Sequence, residues 1–189
     1  PTVNFISGLD TYIHTRERTR IKMSDRPNRI YFGEYMEPIS GEIVYVAEGY
    51  AFDYRNRPAD VHLGAMIVFD TLVVEIDEET RRFQYPDGYA PRGGWIPRKL
   101  AMPELVDRAV HIEWTEPTGV AYGALCMGIT NKEFEMQYDK DANILRFAQP
   151  GVPESKVAAQ FCNGAAIGID DGKVVDLWII HPKFEERYP

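Results

Sequence analysis

Cysteine is nearly missing from this chain. Cys126 and Cys162 are the two present, too few for a disulfide framework and not at metal-ligand spacing. Each stands among small or apolar residues, as core thiols do, and reduced thiols fit a cytoplasmic setting. The four histidines, His14, His62, His111 and His181, show no paired ligand spacing, so no metal and no other cofactor is expected. Positive charge is not in excess: a formal net charge of −8 argues against a nucleic-acid partner. The arginines of the first thirty residues are interrupted by Glu17 and Asp25 and read as a solvated segment. No apolar run is long enough to span a bilayer and no signal-peptide pattern is present, so no membrane partner is expected. Helical periodicity is scarce as well. Only 102–108, with Pro103 near its start, and 153–160 read as single helical turns.

What the chain has in abundance is strand. β-Branched and aromatic residues dominate 29–35, 42–54, 62–69, 72–77, 81–85, 109–115, 120–129, 133–138, 144–147, 165–169 and 174–180. Short polar connections join successive runs: Asp77-Glu78-Glu79-Thr80, Asp139-Lys140-Asp141-Ala142-Asn143 and Asp170-Asp171-Gly172-Lys173. Such links are what antiparallel hairpins require. The reading is an all-β, antiparallel β-barrel forming one domain over 1–189, with a flexible N-terminal segment over 1–27 and a charged tail over 182–189.

The run Val110-His111-Ile112-Glu113-Trp114-Thr115-Glu116-Pro117-Thr118-Gly119 carries the most chemistry. Period-two alternation puts Val110, Ile112, Trp114 and Glu116 on one face. A carboxylate that ends an apolar row beside a tryptophan is placed to hold and release a proton near neutral pH. In the reversed register, Glu116 simply reaches solvent at the strand end. A second row, Val44, Val46, Glu48, Tyr50, Phe52 and Tyr54, also holds one acid, so Glu48 is a second candidate for a buried carboxyl group. The long connection 86–103 contains four prolines, Trp95, Arg92, Arg98 and Lys99. Ordered loops of that length often border binding sites, and arginine binds carboxylates in a bidentate fashion.

Trp114-Thr115-Glu116-Pro117-Thr118-Gly119 resembles a signature of the phenolic acid decarboxylases. Pro86-Asp87-Gly88-Tyr89-Ala90-Pro91-Arg92-Gly93-Gly94-Trp95-Ile96 is similar to that family's glycine–arginine–tryptophan stretch, and the similarity covers residues 80–120. The resemblance implies a calycin or lipocalin-like barrel and a cofactor-free enzyme that converts hydroxycinnamic acids to vinylphenols. It carries the family's glutamate onto Glu116. The family has an active-site arginine where this chain has Gly94, and its paired tyrosines align loosely with Val68 and Asp70. Residues 134–180 also resemble a family of small β domains that has no assigned function.

These observations give a cofactor-independent lyase, decarboxylase-like, acting on a small aromatic or lipophilic molecule with Glu116 as the catalytic acid or base. Trp95, Arg92, Arg98, Trp114, Tyr122, Tyr85 and Glu48 are the candidate substrate-binding residues. An isomerase, cyclase or hydratase on the same glutamate is an alternative. So is a non-catalytic ligand-binding barrel or accessory subunit, because fold does not fix chemistry. A homodimer is compatible with all of these readings.

Overall fold

A computed structural model describes residues 29–59, 63–113, 119–121, 124–128 and 134–187, with 119–121 and 124–128 given as backbone. The strands in chain order begin with β1 (Arg29–Tyr35), β2 (Glu42–Val46), β3 (Ala51–Arg55), β4 (Leu63–Phe69), β5 (Leu72–Asp77) and β6 (Phe83–Tyr89). A single 3-10 turn at Arg92–Gly94 leads to β7 (Trp95–Pro97), β8 (Glu104–Val106), β9 (Arg108–Glu113), β10 (Gly119–Ala121) and β11 (Ala124–Gly128). The remainder are β12 (Glu135–Asp139), β13 (Ile144–Ala148), β14 (Val157–Cys162), β15 (Ala165–Asp170), β16 (Lys173–Ile180) and β17 (Lys183–Glu185).

An eight-stranded sheet runs β10-β11-β4-β5-β6-β3-β2-β17, a seven-stranded sheet runs β7-β12-β13-β16-β15-β14-β8, and β1 pairs with β9. The turns are sequence-driven. Asp171 and Gly172 both take positive φ, 46° and 71°, between the closing pair Asp170 and Lys173. That is the geometry a two-residue hairpin needs. Asp77 accepts from the Thr80 backbone N–H at 2.7 Å and its hydroxyl at 2.8 Å, fixing the turn after β5.

The two large sheets share one apolar core. In β5, Leu72, Val74 and Ile76 are fully buried while Val73, Glu75 and Asp77 are half-buried, which is the alternation of a strand with one core face. Aromatic pairs cross between sheets: Phe52 meets Phe147 edge-on with centroids 6.4 Å apart, and Phe83 meets Phe161 at 5.7 Å. Cys162 is a buried thiol in this core, pushed well above its ordinary pKa by desolvation.

The outward face of the seven-stranded sheet holds a sealed polar network. Arg146 and Asp176 are fully buried, with Arg146 Nε 2.9 Å from Asp176 Oδ2. Arg146 also donates to Gln137 Oε1 at 3.2 Å, Val152 O at 3.0 Å and Pro153 O at 2.7 Å. Asp176 accepts the Ser155 hydroxyl at 2.7 Å and the Ser155 backbone N–H at 3.0 Å. The pair thereby pins the loop before β14 across the sheet.

Several expectations are corrected. The sheets do not close into a barrel, and four of the pairings are parallel: β11 with β4, β12 with β7, β14 with β8 and β17 with β2. Closure is stopped by three-residue edge strands beside prolines: Pro97 ends β7, Pro103 precedes β8, and Pro182 precedes β17. Proline has no N–H to extend a ladder. The turns read as helical over 102–108 and 153–160 contribute instead to β8, β9 and β14, because pairing to distant strands overrides weak local preference. The strand read over 42–54 is a hairpin whose turn puts Tyr50 at φ 52°. Part of the tail over 182–189 is the edge strand β17. The segment 1–27 lies outside the described residues.

Candidate functional site

The two large sheets meet along an open seam between the edge strands β7 and β17. Strand β7 pairs with β12 so that Trp95 lies opposite Met136 and Pro97 opposite Tyr138. Strand β17 pairs with β2 so that Phe184 lies opposite Tyr45. Alternation along these short strands turns Trp95, Tyr138, Tyr45 and Phe184 toward one another. The result is a groove of about 340 Å³ lined by Arg92, Trp95, Pro97, Tyr138 and Phe184, within the size range of small-molecule sites.

The groove wall is an aromatic box. The Trp95 ring lies 5.0 Å from Tyr45 and 5.1 Å from Tyr138, both edge-on. It is nearly parallel to Phe52 behind it, with centroids 6.1 Å apart and an interplanar angle of 5°. Phe184 closes the far side, 5.8 Å from Tyr45 and 6.4 Å from Tyr138. Arg92, carried by the 3-10 turn, lays its guanidinium over this box. Its Cζ is 4.7 Å from the Phe184 centroid, 4.8 Å from Tyr45 and 5.7 Å from Trp95. These are cation–π distances. Arg92 is exposed and forms no ion pair among the described residues. Tyr45 is fully buried with a hydroxyl that has no hydrogen-bond partner. Desolvation raises its pKa, and the neighbouring Arg92 pulls against that rise.

Arg92 and Trp95 thus come together here. Arg98 does not join them: it is exposed, its guanidinium sits 3.8 Å from Glu154, and its backbone N–H donates to Tyr138 O. Tyr85 is buried beneath Arg57, away from the seam. The reading of Glu48 as a buried acid is corrected, since it sits exposed on the β2–β3 turn where the chain leaves the ladder. Glu116, Trp114 and Tyr122 lie outside the described residues. Tyr138, Pro97 and Phe184 were not anticipated. Their one sequence signal was Phe184, a lone aromatic between charged residues.

Among the described residues no cluster of three or more histidine, cysteine or acidic side chains is placed to hold a metal. No helix there is long and apolar enough to cross a membrane. No protein-family model matches the chain, and no curated protein matches it in sequence.

Proposed function

We propose that this protein binds a small aromatic carboxylic acid in the seam groove. The aromatic ring packs against Trp95, Tyr138 and Phe184, and the carboxylate takes the outer edge of the Arg92 guanidinium. The observation that carries this reading is the place of Arg92: exposed, within cation–π distance of three rings, with its donors unclaimed by any described carboxylate. Cation–π contact holds the guanidinium at the rim of the groove without using up its N–H donors, which suits bidentate recognition of a carboxylate.

Titration with 4-hydroxycinnamate, followed by quenching of tryptophan fluorescence, tests it. Arg92→Ala removes a charge-assisted hydrogen bond of about 1.5–3 kcal/mol, which is roughly 10–150-fold in Kd. Arg92→Lys keeps the charge without the fork and falls between. Trp95→Ala removes both the ring contact and much of the optical signal, so calorimetry reads that variant. Equal affinity in wild type and Arg92→Ala refutes the assignment.

A second reading adds chemistry to binding, and the resemblance around Glu116 favours it: a cofactor-independent lyase in which Glu116 delivers or removes the substrate proton. Gly94 stands where that family has its arginine, so conversion of coumaric or ferulic acid to vinylphenol is expected to be slow or undetectable. A different acid–base reaction on an aromatic or lipophilic substrate is expected in its place. Glu116→Gln should lower any such turnover by about 10²–10⁴-fold. Unchanged turnover returns Glu116 to a structural role and leaves the binding reading standing.

A further inference from the structure

Strand β17 leaves the sheet from which it comes. Strand β16 lies inside the seven-stranded sheet, whereas β17 is the edge of the eight-stranded one. The crossing is made by His181 and Pro182 alone. Once across, β17 lays Lys183 opposite Val44, Phe184 opposite Tyr45 and Glu185 opposite Val46. Its side chains turn to equally distant residues. Glu185 Oε2 lies 2.7 Å from Arg55 Nη1, and Lys183 forms an ion pair with Glu42. The Phe184 ring lies 5.8 Å from Tyr45 and 6.4 Å from Tyr138. None of these partners belongs to β16 or to the crossing, so a second copy of this chain offers β17 the same set.

The crossing itself is strained. His181 takes φ 49°, a left-handed conformation that is unfavourable for a residue with a Cβ. It also precedes a proline, where extended backbone is preferred. Two hydrogen bonds to Asn143 hold the bend. The His181 N–H donates to Asn143 O at 2.9 Å, and Asn143 Nδ2 donates to Pro182 O at 3.2 Å. A short hinge under strain relaxes when it straightens. A straight hinge carries β17 away from the β2 of its own chain.

We infer that two copies of this chain exchange β17, each laying it on the other's β2, so that Phe184 of the partner subunit closes each seam groove. The exchanged contacts are the ones already described, so exchange leaves them unchanged. What differs is the hinge: both copies shed the His181 strain and give up the Asn143 bonds. Association costs freedom of motion, and the balance moves toward the dimer as concentration rises. Each copy gives and receives the same strand, which makes the assembly two-fold symmetric. Arg92, Trp95 and Tyr138 stay with the receiving copy, and the groove is then built from two chains. The exchange does not depend on what the groove binds.

Isotope mixing tests it on the full chain. Equal amounts of nitrogen-labelled and unlabelled protein are opened together in moderate urea, returned to buffer at high concentration, and separated by size exclusion with light scattering. A zero-length carbodiimide then couples Lys183 to Glu42, which are in ion-pair contact. A dimer peak is expected in which Glu42–Lys183 cross-linked peptides join a labelled half to an unlabelled half. The monomer peak should hold only like-isotope cross-links. His181→Gly accepts the left-handed backbone without strain, and should raise the dimer dissociation constant at least about fivefold. Asn143 has φ 53°, which glycine also accepts, so Asn143→Gly removes only the side-chain bond to Pro182 and should lower that constant a few-fold. The opposite signs separate a hinge effect from general loss of stability. No dimer at any concentration, a dimer with only like-isotope cross-links, or both variants moving the constant the same way would each overturn the inference.

Discussion

Replacing Asp176 by asparagine tests how tightly the polar network on the seven-stranded sheet is sealed. The substitution keeps size and removes the one carboxylate among the described residues that balances Arg146, which is fully buried and 2.9 Å away. Arg146 retains neutral acceptors at Gln137, Val152 and Pro153, but none carries charge. Breaking a buried ion pair by removing one partner costs about 3–5 kcal/mol, because the surviving charge stays desolvated. Loss of the two Ser155 contacts is softened, since the asparagine oxygen can still accept one of them. A loss of about 3–5 kcal/mol is a large share of the roughly 5–15 kcal/mol that holds a domain together. In a protein of this size it lowers Tm by about 10 °C. Urea unfolding of wild type, Asp176→Asn, Arg146→Met and the double variant gives both the loss and the coupling. The coupling should exceed about 2 kcal/mol, the double variant losing less than the sum of the singles. A loss below about 1 kcal/mol in Asp176→Asn would refute the reasoning, because it would mean that water reaches Arg146.

The carboxyl group of Asp87, raised by burial from 3.8 to about 6, makes stability fall as pH rises from about 4 to 6, since the folded state then holds more protons than the unfolded state. Asp87→Asn should flatten that slope and stabilise the fold at pH 7.5 by about 1–2 kcal/mol, with no gain at pH 4; urea midpoints at the two pH values check it. Gly168→Ala should destabilise by about 1–3 kcal/mol, because its Cβ would collide with Asp176 Oδ1 and Ser155. Gly93→Ala meets nothing within 4 Å and should change the unfolding midpoint by no more than about 0.5 kcal/mol in either direction.

Local pattern carried most of the strands. Leu72–Asp77 alternates visibly, and the Asp171-Gly172 turn between β15 and β16 is written in two residues. What local pattern could not carry was partnership. Strands β7, β8 and β17 are three residues each and exist because they lie beside β12, β14 and β2; nothing in Lys183-Phe184-Glu185 alone distinguishes an edge strand from a tail. The same applies to the groove. Arg92 and Trp95 stood out as a cation and a ring on one proline-rich connection, whereas Tyr138 and Phe184 reach them only through parallel pairings. Asp53 and Glu75 lie in runs read as strands, and Asp87 in the connection read over 86–103. Only the strand order β5-β6-β3 makes them neighbours.

The parallel pairing of β17 with β2 has a consequence for the order in which the molecule is made. It joins residues at opposite ends of the described chain: Arg55 and Glu185, 130 positions apart, lie in ion-pair contact beside it. Contacts of such separation form late, because loop closure must come first. A ribosome-bound chain that has not yet released Phe184 therefore has Tyr45, Trp95 and Tyr138 but only part of the wall they share with it. Until β17 docks, the aromatic rings are a sticky liability. Once it docks they form a groove, so a ligand that needs Phe184 distinguishes chains in which β17 has paired with β2 from those in which it has not.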